Sequence, residues 1–338
     1  MPKTVLVTGG TGFVGSWCIV ELLERGYTVR TTIRTPAREA DVRRAVASQV
    51  DPGDRLGFAI ADLTTDDGWA EAMAGVDHVL HVASPLGREA PRDRDALVAP
   101  ARDGTLRVLR AAVAAGVDRV ILTSAAATAR DRQSGRSSED IWADPEDPLL
   151  EAYRRSKILA ERAAWDFMRD HGGKTTLTTI HPGAVFGPLL PGIDAASVWV
   201  IGGMLNGQPA RLLNLGLSVV DVRDLAAAHV NALTAPDAPG QRFLATGEFL
   251  WMPQIAGILR DNLGAAGAKV PTKVMPNALV RLVAIFQPRL RMFRHDLGQR
   301  REVDHGKARR ILDFHPRPAC ETLVDCAESL IARQKAAA

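Results

Sequence analysis

Residues 4–26 read TVLVTGGTGFVGSWCIVELLERG, and this stretch decides the fold. Thr4–Thr8 is a short β-branched run ending in glycines, and apolar residues at helical spacing fill 11–24 until Gly26 stops the pattern. A strand is therefore predicted to turn sharply into a helix. Gly9, Gly12 and Gly15 satisfy G-x-x-G-x-x-G, and Gly10 adds the G-x-G-x-x-G spacing. Glycine suits these positions for three reasons: the strand must turn, the backbone must approach a ligand closely, and the helix must pack tightly on the strand. The helix N-terminus then offers free N–H groups and a partial positive charge to an anion. Glycine clusters also make plain turns, but the placement between strand and helix favours a dinucleotide site. Thr8, Gly9, Gly12, Phe13, Val14 and Gly15 are expected around its pyrophosphate.

Outward from this loop the pattern repeats. Apolar, β-like runs at 28–34, 58–62, 78–83, 120–123 and 175–181 alternate with helical spacing at 37–49, 103–115 and 149–169. Strands separated by helices of this length predict an α/β fold, a doubly wound parallel sheet of Rossmann type. The region 183–216 is rich in Gly and Pro, 219–221 looks like a strand, 222–234 like a helix, and the tail from Met252 onward is mostly helical. In 278–286 the spacing puts Leu279, Leu282, Val283 and Phe286 on one face. The predicted organisation is a nucleotide domain over 1–182 plus 217–247, with a smaller, discontinuous, mainly helical substrate lobe over 183–216 plus 248–338.

Composition narrows the classes. The 338 residues are 46% apolar, with 42 basic against 39 acidic side chains, so no charged polymer and no dominant basic stripe for nucleic acid is expected. Three cysteines, Cys18, Cys320 and Cys326, form no C-x-x-C pair, which speaks against a disulfide framework or a structural zinc and for a reducing cytoplasm. No apolar run reaches membrane-span length, and the N-terminus does not read as a signal peptide. No metal site is expected: His78 and His81 face opposite sides of a predicted strand.

Two further signals carry chemistry. NAD sites usually place an acidic residue at the end of the second strand, whereas this chain has Arg34 there, with Arg38, Arg43 and Arg44 close by. A guanidinium can grip a 2′-phosphate with paired hydrogen bonds, so NADP(H) is the expected cofactor and NAD(H) the second choice. Tyr153 and Lys157 lie one helical turn apart on one face. A lysine cation beside a phenol stabilises phenolate and is expected to lower its pKa from about 10 toward working pH. Tyr153 then becomes a usable proton donor for a carbonyl accepting hydride.

Taken in order, TGGTGFVG, the 28–34 strand, Ala61-Asp62-Leu63, His81-Val82-Ala83-Ser84-Pro85, Asp103-Gly104-Thr105, the LTS at 122–124, Tyr153/Lys157, His181-Pro182-Gly183 and Asp221-Val222-Arg223-Asp224-Leu225 resemble the extended short-chain dehydrogenase/reductases. The similarity is greatest to the dihydroflavonol reductase, cinnamoyl-CoA reductase and bacterial aldehyde reductase group. That resemblance implies that Arg34 meets the 2′-phosphate, and that Asp62 and Leu63 flank the adenine. It further implies that Val82, Ala83 and Ser84 line the cofactor, that Pro182, Gly183 and Val185 cover the nicotinamide, and that Lys157 also holds its ribose. The group places a serine where this chain has Ala125. Ser124 is the nearest hydroxyl, with Thr123 and Thr128 as alternatives; loss of one such donor typically costs about 10²–10³ in rate.

The activity expected from these readings is NADPH-dependent reduction of an aldehyde or ketone, with Tyr153 as proton donor, Lys157 tuning it and Ser124 orienting the carbonyl. Two rivals stand beside it: a redox-neutral nucleotide-sugar epimerase or dehydratase that retains its NAD(P), and a catalytically impaired NADP(H)-binding sensor or scaffold in which Ala125 has removed turnover. The expected partner is a small carbonyl substrate, with no nucleic acid or membrane; a homodimer is a candidate assembly, because helices in this fold commonly pair across dimers. Specificity is expected in 84–100, 126–150, 186–215 and the C-terminal lobe. The arginines of 281–310 (Arg289, Arg291, Arg294, Arg300 and Arg301 among them) read as a solvated helix face rather than a phosphate or membrane contact. Trp142, Trp199 and Trp251 read as core at least as readily as pocket lining.

Overall fold

The computed structural model describes residues 2–85, 93–131, 134–286, 296–301 and 303–337. Its strands are β1 (Thr4–Thr8), β2 (Thr28–Ile33), β3 (Leu56–Ile60), β4 (His78–His81), β5 (Arg119–Thr123), β6 (Thr176–Pro182), β7 (Ala184–Phe186), β8 (Gly216–Asp221), β9 (Arg242–Ala245) and β10 (Phe249–Trp251). The described helices are α1 (Phe13–Glu24), α2 (Glu39–Ala47), α3 (Trp69–Met73), α4 (Val98–Ala114), α5 (Ala152–His171), α6 (Val198–Leu205), α7 (Val222–Ala232), α8 (Met252–Asn262), α9 (Asn277–Phe286), α10 (Gly306–Leu312) and α11 (Ala319–Ala337).

Seven strands form one parallel sheet in the order β3-β2-β1-β4-β5-β6-β9. Its central strands are buried on both faces, as a sheet covered by helices on both sides requires. In β1 the alternation is direct: Val5 and Val7 join the apolar layer under α1, while Leu6 joins the opposite layer with Val79, Val108 and Val120. Strand order reverses at β1 and β4, so the ligand crevice of such a sheet lies beyond their carboxyl ends.

A second sheet has the order β10-β8-β7, with β7 and β8 parallel and β10 antiparallel to β8. Within the span 217–247, which the sequence groups with the nucleotide domain, β8 lies in this second sheet while β9 returns to the first. Helix α11 packs on α6, α8 and β8.

The face of α9 that carries Leu279, Leu282 and Phe286 points outward, Phe286 with 79% of its surface exposed, and the buried face carries Val280 and Ala284. The two faces of this short helix are both apolar, so spacing alone does not choose between them. Two sequence expectations are corrected. Trp142 and Trp199 are exposed rather than core, Trp142 lying under the Arg242 guanidinium at 3.9 Å from the ring centre. Arg301 is not solvated: its side chain is 13% exposed and pairs with Asp296. Arg289, Arg291 and Arg294 lie outside the described residues, as does 86–92 of the expected specificity segment.

Candidate active site

The glycines of 9–15 serve two purposes. Gly9 sits at φ +78°, where a side chain is strained, and a Cβ there would come within 2.9 Å of Ala83 Cα. A Cβ on Gly15 would stand 2.2 Å from the Gly9 carbonyl oxygen, locking helix to turn. Gly12 differs, because its Cβ would meet only that carbonyl, at 3.3 Å. No side chain caps α1 at Gly12, so the N-terminal N–H groups and the open side of Gly12 form a cradle that fits a pyrophosphate. Phe13, Val14 and Gly15 open that helix.

Thr8, fully buried, braces the neighbouring strand end. Its Oγ1 accepts the N–H groups of Val82 and Ala83, both at 3.1 Å, which leaves its proton for His81 Nδ1 at 2.8 Å. Desolvation, aided by the Lys157 charge, pushes His81 down to about 3, so it stays neutral. His78 sits at the other end of the strand beside Lys3 Nζ, 3.1 Å away, and the two histidines do not meet.

At the end of β2, Arg34 is exposed and makes no hydrogen bond or ion pair among the described residues. Its three neighbours are occupied: Arg38 and Arg44 pair with Asp41, and Arg43 donates to the carbonyls of Gly53 and Leu56. The Asp62 carboxylate, held below its ordinary range by the Thr64 N–H and hydroxyl, also feels the Arg34 charge. Leu63 is pinned beside it by Arg107, which donates to its carbonyl at 2.9 Å, and by Gly104 of α4, where any Cβ would press on Leu63.

Beyond β4 and β5 a small cavity is lined by Ala83, Ser84, Thr123, Ser124, Lys157 and Glu161, among others. A broader polar hollow at Lys3, His78 and Asp118 lies at the opposite, amino ends of the strands. Lys157 is buried and donates to the Thr123 carbonyl at 3.0 Å; burial pushes its ammonium down to about 8, against the pull of Glu161. Tyr153, half-buried one turn earlier, departs from expectation: desolvation and the Glu151 carboxylate push its phenol up to about 12, with Arg154 opposing. Losing water disfavours phenolate more than a lysine committed to the Thr123 carbonyl can offset. Pro182 closes β6, Gly183 passes so near β8 that a Cβ would stand 2.2 Å from the Ser218 carbonyl, and Val185 lies half-buried on β7.

The three hydroxyls near Ala125 are all engaged. Thr123 Oγ1 meets His229 Nε2 at 2.7 Å, and because His229 Nδ1 donates to Leu225, the threonine is the donor. Desolvation keeps His229 neutral, down at about 4. Thr128 donates to the Ala125 carbonyl at 2.9 Å. Ser124 faces α5 and donates to Glu161 Oε2 at 2.6 Å.

The family pattern described as "NAD dependent epimerase/dehydratase family" matches residues 5–245. The chain belongs to this family. It is an NAD(P)-dependent oxidoreductase of the extended short-chain dehydrogenase/reductase type. Tetraketide alpha-pyrone reductase 2 of Arabidopsis thaliana is 35% identical over 268 residues, 76% of this chain and 82% of that protein. Cinnamoyl-CoA reductase 1 of the same plant is 36% identical, covering 72% of this chain and 70% of its own. A solved Gre2 from Candida albicans in complex with NADPH superposes with a TM-score of 0.80 at 27% identity, over 98% of this chain and 99% of that one.

Sequence reasoning missed one constellation in this oxidoreductase. Glu161, 1% exposed, accepts from Ser124 on one oxygen and from Arg242 Nε, at 2.8 Å, on the other, with His181 Nε2 2.9 Å from that second oxygen. Burial raises its pKa, but His181, Arg242 and Ser124 together hold it well below the carboxylate range. Arg242 also donates to the carbonyls of Glu139 and Ile141, tying 139–142 to β9. The i, i+4 step from Lys157 to Glu161 was a readable signal; Arg242, 81 residues away, had none.

Proposed function

We propose that the protein reduces an aldehyde or ketone to the alcohol, using NADPH. The observation that carries the reading is the position of Lys157 Nζ: buried at the carboxyl end of β5, it lines one cavity with Ala83 and Ser84 of the strand end that packs on Gly9. Lys157 thus lines the crevice where the glycine cradle would deliver a nicotinamide, Tyr153 stands one helical turn earlier on α5, and Arg34 is the one guanidinium of its group left for a 2′-phosphate. The NADPH in the solved Candida albicans relative supports the same cofactor. Pro182, Gly183 and Val185 would face the nicotinamide ring from the far side.

A reduced nicotinamide, when bound, supplies the hydride to the carbonyl carbon. Tyr153 gives its phenolic proton to the carbonyl oxygen as the hydride arrives. A phenol near 12 stays protonated at neutral pH and is still more acidic than the alcohol it creates. Lys157 has three N–H donors and spends one on Thr123, leaving two for a ribose hydroxyl and for the phenolate left behind. Ser124 is the hydroxyl proposed to orient the carbonyl, for which it must turn its proton away from Glu161.

The test follows loss of NADPH and NADH absorbance with a panel of aldehydes and ketones, for the wild type and Tyr153→Phe. Turnover faster with NADPH and lost in Tyr153→Phe is expected. Cofactor binding without any turnover would overturn the reading and shift weight to a redox-neutral or sensing role.

A further inference from the structure

Lys157 and Glu161 share both of their anchorages. They stand one turn apart on α5, where Cβ atoms at i and i+4 are about 5–6 Å from each other. Each side chain reaches one of two consecutive residues at the end of β5. Lys157 Nζ donates to the Thr123 carbonyl at 3.0 Å, and Glu161 Oε2 accepts the Ser124 hydroxyl at 2.6 Å. Both residues are buried, and both line the cavity of about 10 Å³ at this strand end, with Thr105 of α4 and Ser84 after β4. Such a volume has room for about one water.

A buried ammonium is costly, so the groups facing Lys157 decide whether it keeps its proton. β5 offers a carbonyl, α4 the Thr105 hydroxyl and the segment after β4 the Ser84 hydroxyl, all dipoles without charge. His81 of β4 is held neutral at about 3, and Tyr153 on the same helix stays protonated up to about 12. Among the described residues, Glu161 is the carboxylate that acts on Lys157. Behind it stand Arg242 of β9 and His181 of β6, both on Oε1. An ion pair with Arg242 explains that oxygen and the tie to β9. It leaves unexplained why Oε2 is aimed at the residue next to the Lys157 anchor. Arg242 also has partners of its own, the Trp142 ring and the carbonyls of Glu139 and Ile141.

We infer that Glu161 is a positioning residue of the reductase site: its carboxylate is the counter-charge that keeps Lys157 an ammonium, ready for a ribose hydroxyl and for the phenolate of Tyr153. The consequence for activity rests on the reductase reading; the charge pairing rests on the fold alone. The Lys157 ammonium, held near 8, lies at the edge of the working range. Removing the carboxylate therefore costs activity as a function of pH, not uniformly. A carboxylate one helical turn away in a partly dry site raises an ammonium by about 1–2 pH units.

The experiment measures kcat/KM for an aldehyde at saturating NADPH from about pH 6 to about pH 10, in the wild type and in Glu161→Gln, a change that keeps the side chain's shape. NMR of the same proteins carrying ¹³Cε-lysine, with Lys157→Arg to assign the signal, follows the ammonium directly. Wild-type activity is expected to fall as pH rises through about 8. In Glu161→Gln the kinetic limb and the NMR midpoint both move down by about 1–2 units, so that at about pH 8 the variant keeps roughly a tenth or less of its own low-pH rate. Glu161→Asp, which keeps the charge, restores most of the shift. An unchanged midpoint in folded Glu161→Gln overturns the inference even where the rate falls at every pH, because a merely structural carboxylate would do that. If Glu161→Gln does not fold, Arg242→Gln decides: removing a cation from Glu161 moves the Lys157 midpoint up, and a midpoint that stays or falls overturns the inference. If no aldehyde is reduced, the reductase reading has failed, and the NMR midpoints decide the pairing by themselves.

Discussion

Ala125→Ser is the substitution that most directly probes how the site handles a carbonyl. Ser124 has one proton, and it points at Glu161 Oε2 across 2.6 Å. To donate to a substrate oxygen it must leave a buried carboxylate, and a hydrogen bond to a charged group is worth about 1.5–3 kcal/mol. That penalty corresponds to roughly ten- to hundredfold in rate. Ala125 lies at φ −153° and ψ 147°, extended backbone that serine adopts without strain. A hydroxyl there carries no prior commitment to Glu161. Ala125→Ser is therefore expected to raise kcat/KM for carbonyl reduction by about ten- to hundredfold. Ser124→Ala in the Ala125→Ser background should leave that gain in place while lowering stability by about 1–3 kcal/mol, because Glu161 loses a donor. Initial rates of NADPH oxidation, read beside calorimetric melting of each variant, make the comparison. A folded Ala125→Ser enzyme no faster than wild type, together with a large rate loss in Ser124→Ala alone, would refute the reasoning and make Ser124 the working donor as it stands.

Three further outcomes are expected. Arg34→Ala should lower the NADPH-to-NADH ratio of kcat/KM about tenfold or more by removing a charged phosphate contact; an unchanged ratio in steady-state assays with both cofactors would place the phosphate elsewhere. His81 and His229 are held neutral with pKa values of about 3 and 4. Their unfolded-state pKa is near 6.5, so the unfolded chain takes up protons first as pH falls, and stability present above about pH 6.5 is lost below it. Denaturant titrations at pH 7 and pH 5 should differ by about 2 kcal/mol for each histidine, and His229→Gln should remove its share; a pH-independent midpoint contradicts this. Gly15→Ala should cost about 1–3 kcal/mol through its clash with the Gly9 carbonyl, whereas Gly12→Ala should melt near wild type but bind NADPH more weakly. Melting curves and cofactor fluorescence titrations giving the opposite order would reassign the two glycines.

The fold was legible because it is built from local periodicity. The run Thr4–Thr8, the glycines and the helix after them are contiguous over residues 4–24, and their conformations follow from residue type. The same held for α5 and α7, whose apolar spacing marked them to within a few residues. Legibility failed where both faces of an element were apolar, as in α9, since moment and burial then part company. It failed again for Trp142, where an aromatic that looks like core instead serves as the platform for the Arg242 guanidinium. Strand pairing was also out of reach for β8: its neighbours β7 and β10 are short, and one of them lies about thirty residues away in the chain.

The site divides in the same way, and the division has a chemical consequence. Tyr153 and Lys157 were readable as a pair because one helix turn sets their spacing, yet the environment that fixes their proton affinities comes from β5, from Glu151 and from Glu161. Extending the same helix face one turn past Lys157 reaches Glu161, which holds Ser124 on one oxygen and Arg242 on the other. Arg242 in turn holds the carbonyls of Glu139 and Ile141, in a segment expected to shape the substrate pocket. The hydroxyl proposed to orient the carbonyl and the segment expected to frame the substrate thus share a single buried carboxylate. A substrate that pulls Ser124 away from Glu161 leaves that oxygen unpaired and loosens the balance of charge on Arg242, so the choice of donor and the shape of the pocket are energetically linked. A hydroxyl at residue 125 would separate the two, and for that reason the replacement of an expected serine by Ala125 is a question about specificity as much as about rate.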